Sequence, residues 1–395
     1  MKESRQYQLI ASLFCAQDTQ KKLIAKLKQY IAQSFQILTK LKSNEILLFG
    51  YGLKQSQATV VATENPSWKL RAHLLLTRKP VEKLRCAKLM PLRNVQEKLT
   101  IDFDNELNFL ITGNDTLIFS AKKEGINTIG YWADTKKGCE SIIRQYSGLS
   151  GAISHVNRNL RHIPSILTYS HSGDSEALLQ VTKIAHDQET KKYSADIWLE
   201  SVRLANYTDC IFRSADEESD FPALLTQKVT AAFDGADLVL ISEIGILLEK
   251  WQKVRKPKKI PIHGDLWHGN ALFDEQKNVC GVIDWEWFSE NGIPGFDAIH
   301  CLIISHAMLK KQSVFRTIRM ICTSDESDKP LLNAINDFAA VHLFDFRDIG
   351  AIVCLVWLTV IYRSHVYTGP RSAQWLSDAI RETTPFLLKS LVHYD

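Results

Sequence analysis

The sequence predicts an α+β chain in two lobes, a β-rich first half and a mainly helical second half, and three observations carry that prediction. Between 45 and about 130, β-branched and aromatic residues alternate with polar ones in short runs separated by turns. Beyond 190, apolar residues recur at the three- and four-residue spacing of helices. One short polar hairpin, 260–288, interrupts that helical half. The 395 residues are enough for two or three cores.

Each element follows from its local pattern. In 20–42, Leu23, Ile24, Leu27, Tyr30, Ile31, Phe35 and Leu38 line one face of an amphipathic helix, and six lysines between 21 and 42 line the other. Such a helix either lies on an anionic membrane surface or packs on its own protein with the lysines in water. Strands are read in "EILLFGYG" (45–52), "ATVVATE" (58–64), "KLRAHLLLT" (69–77), "NELNFLITG" (105–113), "DTLIFSAKK" (115–123) and "INTIGYWAD" (126–134). A helix over 136–158 follows. Two more strands, "PSILTYS" and "EALLQVTKI", flank the turn "HSGDS".

Residues 235–254 form a helix that stops at "RKPKK", and the acidic run "ADEESD" (215–220) reads as a solvated loop. The run 349–362, closed by Asp348 and Arg363, is 14 residues against the roughly 20 of a membrane span, so it reads as a buried core helix.

Composition narrows the function classes. A net charge of +4 does not call for a nucleic-acid partner. The eight cysteines are scattered with no C-x-x-C pair, which reads as reduced thiols, neither a disulfide scaffold nor a zinc site. No basic region leads into a sustained apolar run at the N-terminus, so the expectation is a cytoplasmic protein, with helix 20–42 the candidate for peripheral membrane contact. "SGLSG" (147–151) lacks the spacing of a nucleophile elbow, and no Walker A loop, complete G-x-G-x-x-G or H-E-x-x-H occurs.

The chemistry concentrates in "IPIHGDLWHGNALF" (260–273) and "VIDWEW" (282–287). A short apolar strand delivers His263, Gly264 and Asp265 into a loop, and "NALF" and "VCGVIDWE" then pair as a hairpin. That arrangement gathers Asp265, Asn270 and Asp284 at one end. Two carboxylates and a carboxamide are hard oxygen ligands suited to Mg²⁺, which completes its shell with water and phosphate oxygens. The set therefore points to a nucleoside triphosphate.

H-G-D-x-x-x-x-N followed by I-D-W-E resembles the catalytic core of the aminoglycoside/choline-kinase-like phosphotransferases, relatives of the protein kinases. The match is tight over about 261–297 and weaker over roughly 105–395. The resemblance implies a bilobal protein-kinase-like fold with an N-terminal extension at 1–100, an N-lobe at 101–183 and a helical C-lobe at 184–395. It implies a phosphotransferase with an alcohol group as acceptor, using ATP or GTP, Mg²⁺ and a sugar-like or aminoglycoside-like acceptor. Asp265 becomes the base, and Asn270 and Asp284 the metal ligands. His263 braces the loop, and Asp297 in "GIPGFDAIH" opens the next helix and supports it. His268 reads as structural or as a substrate edge. Trp267, Trp285 and Trp287 read as core or as a stacking surface for a sugar.

The family pattern also expects a third-strand Lys, and "INTIGYWAD" has none, with Trp132 or Ala133 in its place. Lys122 and Lys123 on the preceding strand are the substitutes, Glu140 the pairing acid, and the segment of Gln180, Val181 and Lys183 the adenine hinge. The departure leaves a second class open, a pseudokinase or nucleotide-sensing scaffold.

Overall fold

The computed structural model describes residues 45–51, 56–60, 84–91, 107–111, 116–123, 125–133, 135–155, 163–173, 176–184, 195–212, 214–325, 328–341, 345–368 and 373–391. The helix expected at 20–42 and the strand expected at 69–77 lie outside these residues. The chain divides into two compact units. The first runs up to Ile142 and takes in Leu167–Lys183; the second is Ile143–Ile166 with Ile184–Asp395.

In the first unit the strands are β1 (Glu45–Tyr51), β2 (Ser56–Val60), β3 (Leu84–Pro91), β4 (Leu107–Ile111), β5 (Leu117–Lys123) and β6 (Ile126–Ala133), followed after a helix by β7 (Ile166–Ser172) and β8 (Glu176–Thr182). β1 and β3 form an antiparallel pair, and the others form a six-stranded sheet in the order β2-β4-β5-β6-β8-β7. The sequence reading did not foresee β3, because Arg85 and Lys88 break its apolar alternation. β5 and β6 pair from Leu117↔Trp132 to Lys123↔Ile126, and Gly125 at φ 80° turns between them. In β6, Thr128 is fully buried, and its hydroxyl accepts a 3.0 Å hydrogen bond from the Gln180 amide of β8.

Helix α1 (Lys136–His155) starts in the first unit and ends in the second. The second unit continues with α2 (Ala195–Ile211), α3 (Phe221–Thr230), α4 (Gly235–Arg255), the short strands β9 (Ile260–Ile262), β10 (Ala271–Phe273), β11 (Val279–Val282) and β12 (Ser289–Gly292), then α5 (Phe296–Lys310), α6 (Val314–Cys322), α7 (Lys329–Val341), α8 (Phe346–Thr368) and α9 (Ala373–Leu391). The prediction of a β-rich first half and a helical second half holds, and the chain is α+β.

Helices α5 and α8 form the centre of this unit. On α5, Ala298, Ile299, Cys301, Leu302 and Ile303 are buried all round the helix, as are Ile352 through Leu358 on α8. Residues 348–367 of α8 are long and apolar enough to cross a membrane, yet 67% of their most apolar window is buried inside the protein, as a core helix requires. Cys301 and Cys354 are buried among apolar side chains, and burial pushes the thiol of Cys301 up to about 12, so it acts as a small apolar side chain.

The acidic run is more than a solvated loop. Residues 215–219 run antiparallel to 257–259 through three 2.8 Å backbone bonds: Ala215 N–H to Lys259 O, Lys259 N–H to Glu217 O, and Ser219 N–H to Pro257 O. Asp216, Glu217 and Glu218 face Lys258, Lys259 and Lys256 at 3.4–3.6 Å. These exposed pairs stabilise little. The backbone clasp, however, fixes where the chain leaves α4 and enters β9.

Candidate active site

Two short antiparallel pairs build the site. β9 pairs with β12, β10 pairs with β11, and the loop 263–270 links β9 to β10. Alongside β10–β11, the Ile283 N–H donates to Asn270 O at 2.9 Å. The segment carrying Asn270 is thereby joined to the one carrying Asp284. Asp284 takes a left-handed conformation (φ 65°), which an Asp tolerates better than most residues.

Gly264 has no alternative. Its φ is 79°, and a Cβ there would lie 2.2 Å from the Trp287 carbonyl oxygen. Gly148 and Gly151 of "SGLSG" serve close packing in the same way. Their missing side chains let α1 approach Trp285 O and the ring of Phe288.

Buried polar groups fix the loop. Asp297, in the first turn of α5, accepts from His263 N–H at 2.6 Å and from Gly264 N–H at 2.9 Å. Burial pushes its carboxyl up to about 7, against these two bonds, which favour the charged form. His263 is fully buried, and burial pushes it down to about 4. The Asp265 N–H donates to its Nδ1 at 3.2 Å, so the proton sits on Nε2 and donates to Ile283 O at 2.9 Å. This neutral ring spans the loop and the strand end that leads to Asp284.

Asp265 is held on both sides and stays reachable, its side chain 25% exposed. Asn270 donates from Nδ2 to Asp265 O at 2.9 Å and to Oδ2 at 3.3 Å. That leaves the Asn270 Oδ1 as the oxygen available to a cation. Arg363, from α8, donates to Asp265 Oδ1 and to the Gly264 carbonyl, and its guanidinium carbon lies 4.9 Å from the Trp287 ring centre.

Asp284 is exposed as a residue, but the protein atoms packed around its carboxyl group, with the like charges of Glu286 and Asp265, push it up to about 7. Among the described residues no three His, Cys, Asp or Glu side chains cluster as a metal site. The oxygen donors here are one carboxylate and one carboxamide.

The aromatic residues divide. Trp285 is core, with no exposure. Trp287 donates to Tyr367 Oη at 2.6 Å, and the Tyr367 hydroxyl donates to Glu286 at 3.1 Å. Arg144 of α1 closes this chain, with Nη2 2.6 Å from Glu286 Oε1. His268 bonds Glu200 of α2 at 2.7 Å and stacks on Phe273.

The other residues singled out in the sequence belong to the first unit. Lys122 and Lys123 pair with Asn127 and Ile126 at the tip of the β5–β6 hairpin. Glu140 is exposed on α1. Val181 is buried on β8 opposite Ile129, and the exposed Lys183 donates its N–H to Asn127 O at 2.8 Å.

Sequence reasoning missed Arg363, His300, Arg144, Glu286 and Tyr367 as members of the site. The one signal for Arg363 was a cation ending a long apolar run.

Residues 194–316 match the model of the phosphotransferase enzyme family, which covers the loop and its hairpin. A comparison with curated proteins finds no match. Among solved structures, a thermostable mutant of the aminoglycoside phosphotransferase APH(4)-Ia, in ternary complex with ADP and hygromycin B, is 12% identical, with a TM-score of 0.50, over 74% of this chain and 97% of that one. The ADP-bound aminoglycoside phosphotransferase APH(2'')-Ib is 13% identical, with a TM-score of 0.42, over 75% and 97%. At such identities the first likeness speaks for the fold, and the chemistry rests on the residues of the loop.

Proposed function

We propose that the chain is a Mg²⁺-dependent phosphotransferase that moves the γ-phosphoryl group of ATP to a hydroxyl of a small, sugar-like acceptor, with Asp265 as the base. The observation that carries this reading is a carboxylate with unequal oxygens. Oδ1 of Asp265 is anchored by Arg363, while Oδ2 keeps a long contact to Asn270 on a side chain open to solvent. An acceptor hydroxyl hydrogen-bonded to Oδ2 is oriented for in-line attack and loses its proton to it as the phosphoryl group transfers.

Asn270 and Asp284 fit Mg²⁺, because both offer hard oxygens and the like charges crowding Asp284 are what a cation relieves. Bound there, the ion would offset charge on the transferring phosphoryl group. His263 and Asp297 keep the loop rigid beneath it. Lys122 or Lys123 with Glu140 are proposed for the phosphates, and Val181 to Lys183 for the base.

Charge favours a neutral acceptor over an aminoglycoside-like polycation. Acids beside the loop already have basic partners: Glu286 has Arg144, Asp265 has Arg363, and Glu200 has His268 and, at 3.9 Å, Lys277. A polycation would need carboxylates without partners.

A second reading, a nucleotide-sensing scaffold, is favoured by one observation: β6 carries no Lys. Two measurements separate the readings. Mg-ATP at a hundred times its dissociation constant stabilises a binding protein by about 2.7 kcal/mol, and this gain is lost in Asp284→Ala; Mg-GTP is the parallel arm. Transfer from ATP is then assayed on neutral sugars, polyols and aminoglycosides. Equal transfer by wild type and Asp265→Asn would sink the base assignment. Nucleotide binding without transfer to any acceptor class would favour the scaffold.

A further inference from the structure

Arg363 is a buried cation with two donor groups aimed at the loop. Its side chain is 9% exposed and comes from α8, ninety-eight residues after Asp265. Nη1 donates to Asp265 Oδ1 and Nη2 to the carbonyl of Gly264. A third partner fixes where the guanidinium sits. His300 Nδ1 lies 2.8 Å from Leu266 O, a carbonyl that can only accept, so Nδ1 carries the proton. Nε2 is then a lone-pair acceptor, 3.2 Å from Arg363 Nη1. Burial, with the Arg363 charge, pushes His300 down to about 3, in keeping with that neutral form. The Trp287 ring covers the guanidinium from another side.

We propose that Arg363 is a positioning residue for phosphoryl transfer: held by His300 and Trp287, it anchors Oδ1 of Asp265 and the Gly264 carbonyl, so that Oδ2 alone is presented to the acceptor. The proposal rests on the phosphotransferase reading above and adds a residue that the loop motif does not contain. It follows from reach and planarity. A guanidinium offers two parallel N–H groups at fixed spacing, which match one side-chain oxygen and one backbone oxygen of adjacent residues. An ammonium is a single point charge and cannot hold both. Without the anchor, the carboxylate of Asp265 is free to rotate about its χ angles, and small misplacements of a reacting group cost orders of magnitude in rate.

The experiment uses the full chain in four forms: wild type, Arg363→Met, Asp265→Asn and the double variant. Two properties are measured, Mg-ATP turnover in the presence of the neutral sugars, polyols and aminoglycosides named above, and thermal midpoint. Arg363→Met is expected to lower kcat about 100-fold while KM for ATP stays within about threefold. The double variant is expected to lose several degrees less than the two single losses added together, because each single change strands one charge and the double change strands none. Arg363→Lys, which keeps the charge, guards against a variant that fails to fold. It is expected to fold and to remain at least about tenfold below wild type in kcat.

Wild-type kcat in Arg363→Met or Arg363→Lys, or additive thermal losses, overturns the proposal. A wild type that turns over no nucleotide overturns the phosphotransferase reading instead, and the thermal cycle alone then decides whether Arg363 anchors Asp265.

Discussion

Helix α8 carries a buried charge near each end, and the two are used differently. Asp348, in the first turn, is 4% exposed. It accepts from Trp251 Nε1 at 2.9 Å and from Arg255 Nε at 2.8 Å, with a second Arg255 bond to its other oxygen and one from Asp345 N–H at 3.2 Å. Both of its oxygens are taken by fixed donors. Arg363, near the other end, meets a carboxylate with one oxygen anchored and the other in long contact with an amide. Asp348 suits the helix dipole, and both charges are paired. An ion pair is therefore no sign of function by itself; the oxygen left free to accept another proton is.

The largest effect tests that contrast directly. Asp265→Asn is expected to reduce phosphoryl transfer about 10³-fold, in the range removal of a general base produces, with the chain still folded. Asp348→Asn is expected to leave transfer per folded molecule unchanged while lowering stability by about 2 kcal/mol. That figure is below the cost of breaking a fully buried pair, because the Arg255 side chain is 40% exposed and can return to water. Equal activity losses in the two variants would erase the distinction between the ends.

Next in size is the backbone beneath Asp265. Gly264→Ala adds a Cβ against Trp287 O in a conformation that already disfavours side chains. The loop must shift, and about 100-fold in transfer is expected to go with it. The matching change at the other end, Gly350→Ala, meets Ser390 O at 3.0 Å in a helix and should lower the thermal midpoint without changing transfer. An active Gly264→Ala enzyme would mean that the loop geometry does not set the position of Asp265.

How much of this was legible in the sequence follows from distance along the chain. Asp265, Asn270 and Asp284 lie within twenty residues, so spacing and flanking apolar strands were enough to group them. The strands of the six-stranded sheet were readable from alternation, whereas β3 was hidden by Arg85 and Lys88. Arg363 pairs with Asp265 across 98 residues, and Arg144 with Glu286 across 142. No local pattern encodes such contacts, because an Arg after an apolar run reads equally well as a helix end. The clasp between "ADEESD" and "RKPKK" was hidden for the same reason: each run looks solvated until the other is beside it. Nor is the role of the "SGLSG" glycines visible in sequence terms, since it depends on Trp285 and Phe288 arriving from more than a hundred residues away.

The smallest effect separates the ends of α8 by pH, because two neutral histidines brace the Arg363 end. His263 has its folded pKa near 4, against an ordinary value of 6.5. Between those values the unfolded chain takes up a proton that the folded chain refuses, so acidification lowers stability through this residue. The slope reaches at most about 1.4 kcal/mol per pH unit and flattens below about 4. His263→Gln removes the titration while keeping the chemistry of both bonds, since a Gln amide can donate to Ile283 O and its oxygen can accept from Asp265 N–H. At pH 7.5 the substitution should cost about 1 kcal/mol, through imperfect replacement of two buried hydrogen bonds. At pH 5.5 that cost should have shrunk or reversed, because the wild type has lost stability and the variant has not. Asp284, Asp297 and His300 titrate in both proteins and cancel in the difference. Denaturant midpoints at pH 7.5, 6.5 and 5.5 measure it, and a cost that stays constant across the three would show that His263 is not held neutral beneath the loop.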